Sequence, residues 1–171
     1  MVAVPTWDLF LILFFIIGVA YGFILQRDKT VITLISVYVA LVITQVLTGP
    51  IQEFFAGDRT ILGQFFIRAN VSTFTLQTII FGGIIALVSA KSGIAGRDSG
   101  GGIMSPIEVF GFSLLNTALI ASSVFYFMPE AMRAGFDETS RIAHFLIQYH
   151  IWWIILPIVL LIITGFRRGN E

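Results

Sequence analysis

The charged residues of this 171-residue chain fall into six short clusters, and their spacing constrains the fold more than any other feature. Between the clusters lie charge-free stretches of 18, 23, 22, 21 and 25 residues, at positions 9–26, 30–52, 69–90, 109–129 and 142–166. An α-helix rises about 1.5 Å per residue, so about 20 apolar residues cross the hydrocarbon core of a bilayer. The spacing predicts an all-α integral membrane protein, a bundle of about five transmembrane helices.

Composition agrees with this fold class and excludes several functions. Hydrophobic residues make up 57% of the chain and charged residues 12%, far from the averages of soluble proteins. The formal net charge is zero, so we expect no nucleic-acid partner. The absence of cysteine excludes disulfides, thiolate metal ligands and thiol nucleophiles. The N-terminus has neither the basic segment nor the cleavage site of a signal peptide, so the first span is expected to stay as an anchor.

The whole chain, residues 1–171, is predicted to form one membrane domain. The hydrophobic pattern places its five spans at about 9–25, 31–47, 74–90, 106–128 and 147–166.

Helix signals refine the ends of these spans. The short charged segment 26–30 predicts an antiparallel hairpin of the first two spans. Gly49-Pro50 is expected to end the second span, because proline cannot continue a helix. Ser105-Pro106-Ile107-Glu108 combines an N-cap serine, a proline at the first helical position and a capping-box glutamate, which predicts a sharp start for the fourth span. Pro157 predicts a kink in the fifth.

Residues 51–68 carry a different pattern. Phe54-Phe55 and Phe65-Phe66 are eleven residues apart, about three helical turns, so the two pairs point the same way. We interpret this segment as one amphipathic helix lying at the membrane interface with its rings toward the acyl chains. A helix packed on the bundle is the alternative.

The basic residues predict the orientation. If the turn at 26–30 is cytoplasmic, the glycine-rich loop at 91–104 and the C-terminus are cytoplasmic too, which places six basic residues inside and four outside. Arg27, Lys29, Arg167 and Arg168 lie at helix ends, where the positive-inside bias is strongest. We expect a multi-pass protein with its N-terminus outside and its C-terminus in the cytoplasm.

Small residues recur at helix-packing spacing in three of the spans. Gly18 and Gly22 form a small-xxx-small pair in the first, and such pairs let two helix backbones approach closely. The third span carries Gly82, Gly83 and Ala86 among its small residues, and the fourth carries a similar stripe, Ser113, Thr117 and Ala121. These residues predict helix interfaces, within one chain or between subunits, although membrane helices are rich in glycine in any case. The expected partners are the lipid bilayer, further copies in a homo-oligomer, and other membrane proteins.

Polar side chains inside the spans are the next candidates. Gln45, Gln77 and Asn116 need hydrogen-bond partners in hydrocarbon, so we expect them to face the bundle interior. They could line a substrate path, or they could join neighbouring helices by hydrogen bonds. Apart from Glu108 in the first turn of the fourth span, no span contains a charged residue, which argues against a proton-coupled pump.

The sequence shows no catalytic or metal-binding constellation. The capping box accounts for Glu108. His144 and His150 are six residues apart, which does not align them on one helix face. The Arg97–Gly102 run has no preceding strand and no lysine, so it does not indicate a phosphate-binding loop. We therefore expect that the protein is not an enzyme and that it binds neither a metal nor a cofactor.

The order of these features resembles the colicin V production protein (CvpA) family over about residues 6–128. The carriers are Trp7-Asp8 before an apolar run, Gly18, Tyr21-Gly22-Phe23, a basic turn and, in a later helix, Phe110-Gly111-Phe112. The resemblance implies a bacterial inner-membrane protein linked to toxin export (toxin biosynthesis and secretion) and envelope homeostasis. It implies no catalytic residues.

Together these features predict a non-enzymatic membrane scaffold, an assembly or secretion factor that binds other membrane components. The alternative is a small transporter or channel subunit that uses the polar groups of the second, third and fourth helices.

Overall fold

The computed structural model describes residues 6–56, 72–92 and 106–168. All regular secondary structure in these ranges is α-helical. The helices are α1 (Thr6–Ala56), α2 (Thr73–Ser92), α3 (Pro106–Phe127), α4 (Glu130–Thr139), α5 (Arg141–Gln148) and α6 (His150–Arg168).

Helix α1 is not a straight rod, because it folds back on itself near residues 25–28. The Thr30 hydroxyl donates a hydrogen bond to the Gly22 carbonyl at 3.2 Å, although eight residues of straight helix span about 12 Å. The two arms of α1 are called here the first limb (Trp7–Ile24) and the second limb (Lys29–Phe54). The short charged segment therefore lies at a helical hairpin.

Gly49-Pro50 does not end the second limb, so that prediction is wrong. Helix α1 includes Pro50 and continues to Ala56. Proline removes one backbone donor and can bend a helix, but packing around it can hold the helix together. Close to the proline, the Thr48 hydroxyl donates to the Thr44 carbonyl within the same helix, and the Gln52 amide donates to the Thr73 hydroxyl at the start of α2.

Helix α3 lies at the centre of the bundle and touches both limbs of α1. One core cluster joins the second limb, α2 and α3; its buried members are Leu34, Val37, Ala40, Phe81, Phe112, Leu119 and Phe127. A second cluster joins the first limb, α3 and α5; its buried members are Leu11, Ala118, Ala121, Phe125, Ala143 and Leu146. A straight α1 of about 75 Å could not place both ends along the roughly 33 Å of α3. The clusters thus support the hairpin.

The last helical stretch bends sharply at Tyr149, eight residues before Pro157. Helices α5 and α6 meet at 70°, whereas the sequence predicted one span over 147–166. Tyr149 ends α5 and its carbonyl already accepts from the Trp152 N–H of α6, so a new helix starts there in a new direction. Pro157 lies buried inside α6. One turn before it, the Ile154 carbonyl accepts a hydrogen bond from the Tyr38 hydroxyl at 2.6 Å.

Within the described residues, four helical segments are long and apolar enough to cross a membrane: the two limbs of α1, Thr73–Lys91 and Pro106–Phe127. The bent pair α5–α6 makes a fifth if it counts as one span. The interfacial segment predicted at 51–68 is described only up to Ala56, where it continues α1. The rest of it, and nearly all of the glycine-rich loop, lie outside the described residues.

Candidate functional site

The first limb and α3 approach each other closely at two glycines of the first limb. A methyl group built on Gly18 would come within 2.7 Å of Thr117 Cγ2, and one built on Gly22 would come within 2.5 Å of Ser113 Cβ. Carbon atoms in contact are about 3.5–4.0 Å apart, so these positions have room for hydrogen only. The small stripe of the first span thus meets the small stripe of α3 inside one chain.

The hydroxyl groups on this face of α3 are satisfied within the helix itself. Ser113 donates to the Val109 carbonyl at 2.7 Å, and Thr117 donates to the Ser113 carbonyl at 2.8 Å. Such bonds to the preceding turn leave no buried donor unpaired. The face can therefore pack against the glycines as a small, closed surface.

The small residues of α2 behave differently, because they face outward. Gly82, Gly83 and Ala86 are exposed, and a methyl group on either glycine would meet nothing within 4 Å. Only 11% of the Thr73–Lys91 segment is buried, against 56% of Pro106–Phe127. The outward α2 face, defined by Gly82, Gly83, Ala86 and Ala90, is exposed in the part of the chain that the structure describes.

The three intramembrane polar candidates lie in three different environments. Asn116 is buried, and its Oδ1 has no hydrogen-bond partner among the described residues. Gln77 is half-buried. Gln45 is exposed, so the expectation that it faces the interior is wrong. Adjacent helix residues point about 100° apart, and the neighbouring Thr44 occupies the inward position with no exposed surface.

Two further buried hydroxyls have no partner in the part of the chain that the structure describes: Thr44 Oγ1 in the second limb and Thr78 Oγ1 in α2. Together with Asn116 Oδ1 in α3, they place one unpaired polar atom on each of three helices. An unpaired buried polar group costs about 1–3 kcal/mol. Other hydroxyls on the long helices avoid this cost by bonding to their own helix, as Thr33, Ser36, Thr48, Ser122, Ser123 and Thr164 do.

Asp8 links the start of the first limb to α5, a role that sequence reasoning missed. Its Oδ1 accepts hydrogen bonds from the Ser140 hydroxyl and from the Ile142 N–H, the latter at 3.3 Å. Ser140 in turn accepts from the Ala143 N–H at 3.0 Å and caps α5. Asp8 and Ser140, 132 residues apart, therefore cap one helix together. In the sequence, Ser140 is the one feature from which this N-cap of α5 could have been predicted.

Aromatic rings cover this junction. The ring of Phe136 in α4 lies edge-on to Trp7 at 4.7 Å and to Phe125 at 5.5 Å between centroids. Asp8 at the same junction is 8% exposed, and hydrogen bonds are stronger where water is excluded. The N-terminal end of the first limb is thus fixed to α3, α4 and α5.

The two histidines lie apart in the structure. His144 Nδ1 pairs with Asp137 at 2.9 Å on an exposed surface, whereas His150 stacks on the ring of Tyr126 at 4.7 Å. Within the described ranges, no group of three or more His, Cys, Asp or Glu side chains could hold a metal ion. Glu108 lies in the first turn of α3.

No protein-family model, curated protein or solved structure matches this chain. The resemblance to the colicin V production protein family stays a prediction.

Proposed function

We propose that this chain is a bacterial inner-membrane scaffold, non-enzymatic, that crosses the membrane five times and binds another membrane protein through α2. Its N-terminus is external and its C-terminus cytoplasmic. The length and apolarity of the helices support the crossings, and the placement of basic residues supports the orientation.

The observation that carries the proposal is the outward α2 face. Many exposed positions elsewhere on the long helices hold large apolar side chains, such as Ile16 at 60% and Ile24 at 77% exposure. Contact with lipid tails does not require small residues, whereas contact with a second helix does, because only small residues let backbones approach. The glycines of the first limb already serve this purpose against α3. The glycines of α2 have no such helix within the described chain.

The occupant that fits this face is a transmembrane helix of another protein with its own small residues. Gly82, Ala86 and Ala90 recur every four residues, which forms one shallow groove along the helix. A partner helix with matching small residues would pack there by dispersion contacts without any change in this chain. Binding of this kind is what an assembly or secretion factor needs.

Site-specific photo-crosslinking in cells tests this proposal. A photoreactive residue at Ile79 or at Leu87, which are exposed at 65% and 63%, should give adducts of one discrete mass with a second protein. The same residue at Ile16, equally exposed on the first limb, is the matched control and should give none. Gly82→Leu should abolish the adducts. If Ile79 and Leu87 yield nothing beyond the control, the scaffold proposal fails.

The resemblance noted in the sequence suggests the setting in which this scaffold acts. Toxin export and envelope homeostasis both depend on membrane assemblies that single small proteins can organise. Deletion in the source bacterium should lower the secretion of a peptide toxin or raise sensitivity to envelope stress. The Gly82→Leu variant should reproduce the deletion phenotype at normal protein levels, whereas Ile79→Leu, which places leucine on the same helix without adding volume, should not.

A small transporter or channel subunit is the second candidate. Three unpaired buried polar atoms on three helices favour it: Thr44 Oγ1, Thr78 Oγ1 and Asn116 Oδ1. These could bind a polar solute in passage. Purified protein in proteoliposomes would then show specific, saturable flux that Asn116→Leu removes, and such flux would replace the scaffold proposal.

A further inference from the structure

Gln45 presents an amide group on the outside of the second limb, where a membrane-spanning helix meets lipid. It lies nine residues before Phe54, the end of this limb, or about 14 Å inside it along the helix axis. Gln45 has no hydrogen-bond partner among the described residues. Hydrocarbon offers neither donors nor acceptors, so a free amide at this depth is unfavourable.

The side chain of Gln45 cannot reach the nearer membrane surface easily. The Cα–Cβ bonds of an α-helix tilt toward its N-terminus. In the second limb this direction leads toward the middle of the span, away from the closer end at Phe54. The amide therefore needs a polar group supplied at its own depth.

The neighbours of Gln45 form a helix-packing surface. Val42, Gln45, Val46 and Gly49 follow the spacing i, i+3, i+4, i+7, which places them on one face. All four are exposed, with Val42 at 61% and Val46 at 65%. A methyl group on Gly49 would meet nothing within 4 Å. The Gln45 face, defined by these four residues, combines small or β-branched side chains with one amide.

We propose that a second copy of this chain binds the Gln45 face, so that the protein is a two-fold symmetric dimer in the membrane. All copies insert in one orientation, so a two-fold axis along the membrane normal places Gln45 opposite Gln45 at equal depth. An amide carries both donors and an acceptor, so the two side chains satisfy each other. The symmetric pair supplies the polar group that lipid cannot.

This dimer interface is distinct from the outward α2 face, and it depends on the proposed function only through membrane insertion. The Gln45 face lies on α1 and takes an identical helix, whereas the α2 face takes a different protein. A scaffold with both surfaces would hold two partner molecules around one dimer.

Disulfide trapping tests the dimer directly, because the chain contains no cysteine and each introduced thiol is unique. Val42→Cys and Val46→Cys should give covalent dimers when native membranes are oxidised. Leu47→Cys is the matched control: Leu47 is exposed at 39% but points about 100° from Val46, so it should stay monomeric. Adding Gln45→Leu to Val46→Cys should weaken dimerisation about tenfold, and Gln45→Asn should retain part of it.

Three results would overturn the dimer. These are absence of crosslinking at both valines, equal crosslinking at Leu47, and no effect of Gln45→Leu. A Val46→Cys adduct with another protein would also overturn it, because the occupant would not be a second copy. Washing the membranes with carbonate distinguishes failure of the dimer from failure of the proposed function. A chain that does not insert is washed off, which would contradict the proposed function. A chain that inserts as a monomer stays in the pellet, which would contradict only the dimer. Gly82→Leu should leave the trapped dimer unchanged.

Discussion

Gly22→Ala measures how closely the first limb and α3 approach. The added methyl group would lie within 2.5 Å of Ser113 Cβ, about 1 Å inside ordinary contact, so the helices must separate. Overpacking of this kind costs about 1–3 kcal/mol, and the better helix propensity of alanine offsets up to ~1 kcal/mol. We therefore expect a net loss of about 1 kcal/mol in the free energy of unfolding. Gly82→Ala is the matched control, because its methyl group meets nothing within 4 Å.

Unfolding by SDS in mixed dodecyl maltoside micelles, followed by tryptophan fluorescence, gives the comparison. Gly22→Ala should unfold at a lower SDS fraction than the wild type, while Gly82→Ala should unfold at the same or a higher fraction. Gly18→Ala should behave like Gly22→Ala, since Thr117 limits the space there. Wild-type stability of Gly22→Ala, or an equal loss in Gly82→Ala, would refute the close contact with α3.

Two hydroxyl groups give further predictions in the same assay. Ser140→Ala removes a donor to Asp8 and the cap of α5, and should lower the free energy of unfolding by about 1–3 kcal/mol. Thr139→Ala, at an exposed neighbouring position, should lower it much less. Equal losses in the two variants would contradict the contact between Asp8 and Ser140. Tyr38→Phe removes the hydrogen bond to α6 and should cost about 0.5–1.5 kcal/mol. Tyr21→Phe, at a side chain that is 51% exposed, should leave the free energy of unfolding unchanged. If Tyr38→Phe also leaves it unchanged, the hydrogen bond to Ile154 does not stabilise α6.

Much of the helical framework follows from the sequence, because its signals are local. Charge-free stretches of span length correspond to helices long enough to cross a membrane. Pro106 begins α3, as expected from a proline with fixed backbone geometry at the first helical position. The small residues at Gly22 and Ser113 do meet, since their spacing already marks the faces that allow close approach.

The features that sequence reasoning missed depend on contacts between distant segments. Pro50 stays within a helix, although local propensity alone would end it. The bend at Tyr149 arises between two apolar helices with no glycine or proline at the break. Asp8 caps a helix that begins more than 130 residues later, which no local pattern can show. The outward position of Gln45 depends on which face of the second limb packs on the bundle, and hydropathy does not reveal this.

Reporter fusions test most directly whether the chain crosses the membrane five times. The Asp8–Ser140 contact puts the start of the first limb and the α4–α5 region at one end of the bundle, and the hairpin near Asp28 lies at the other. Fusions at Asp28, Lys91 and Arg168 should be fluorescent with green fluorescent protein and inactive with alkaline phosphatase, whereas a fusion at Asp137 should show the reverse. A cytoplasmic reading at Asp137, or an external one at Arg168, would contradict the five-span membrane bundle.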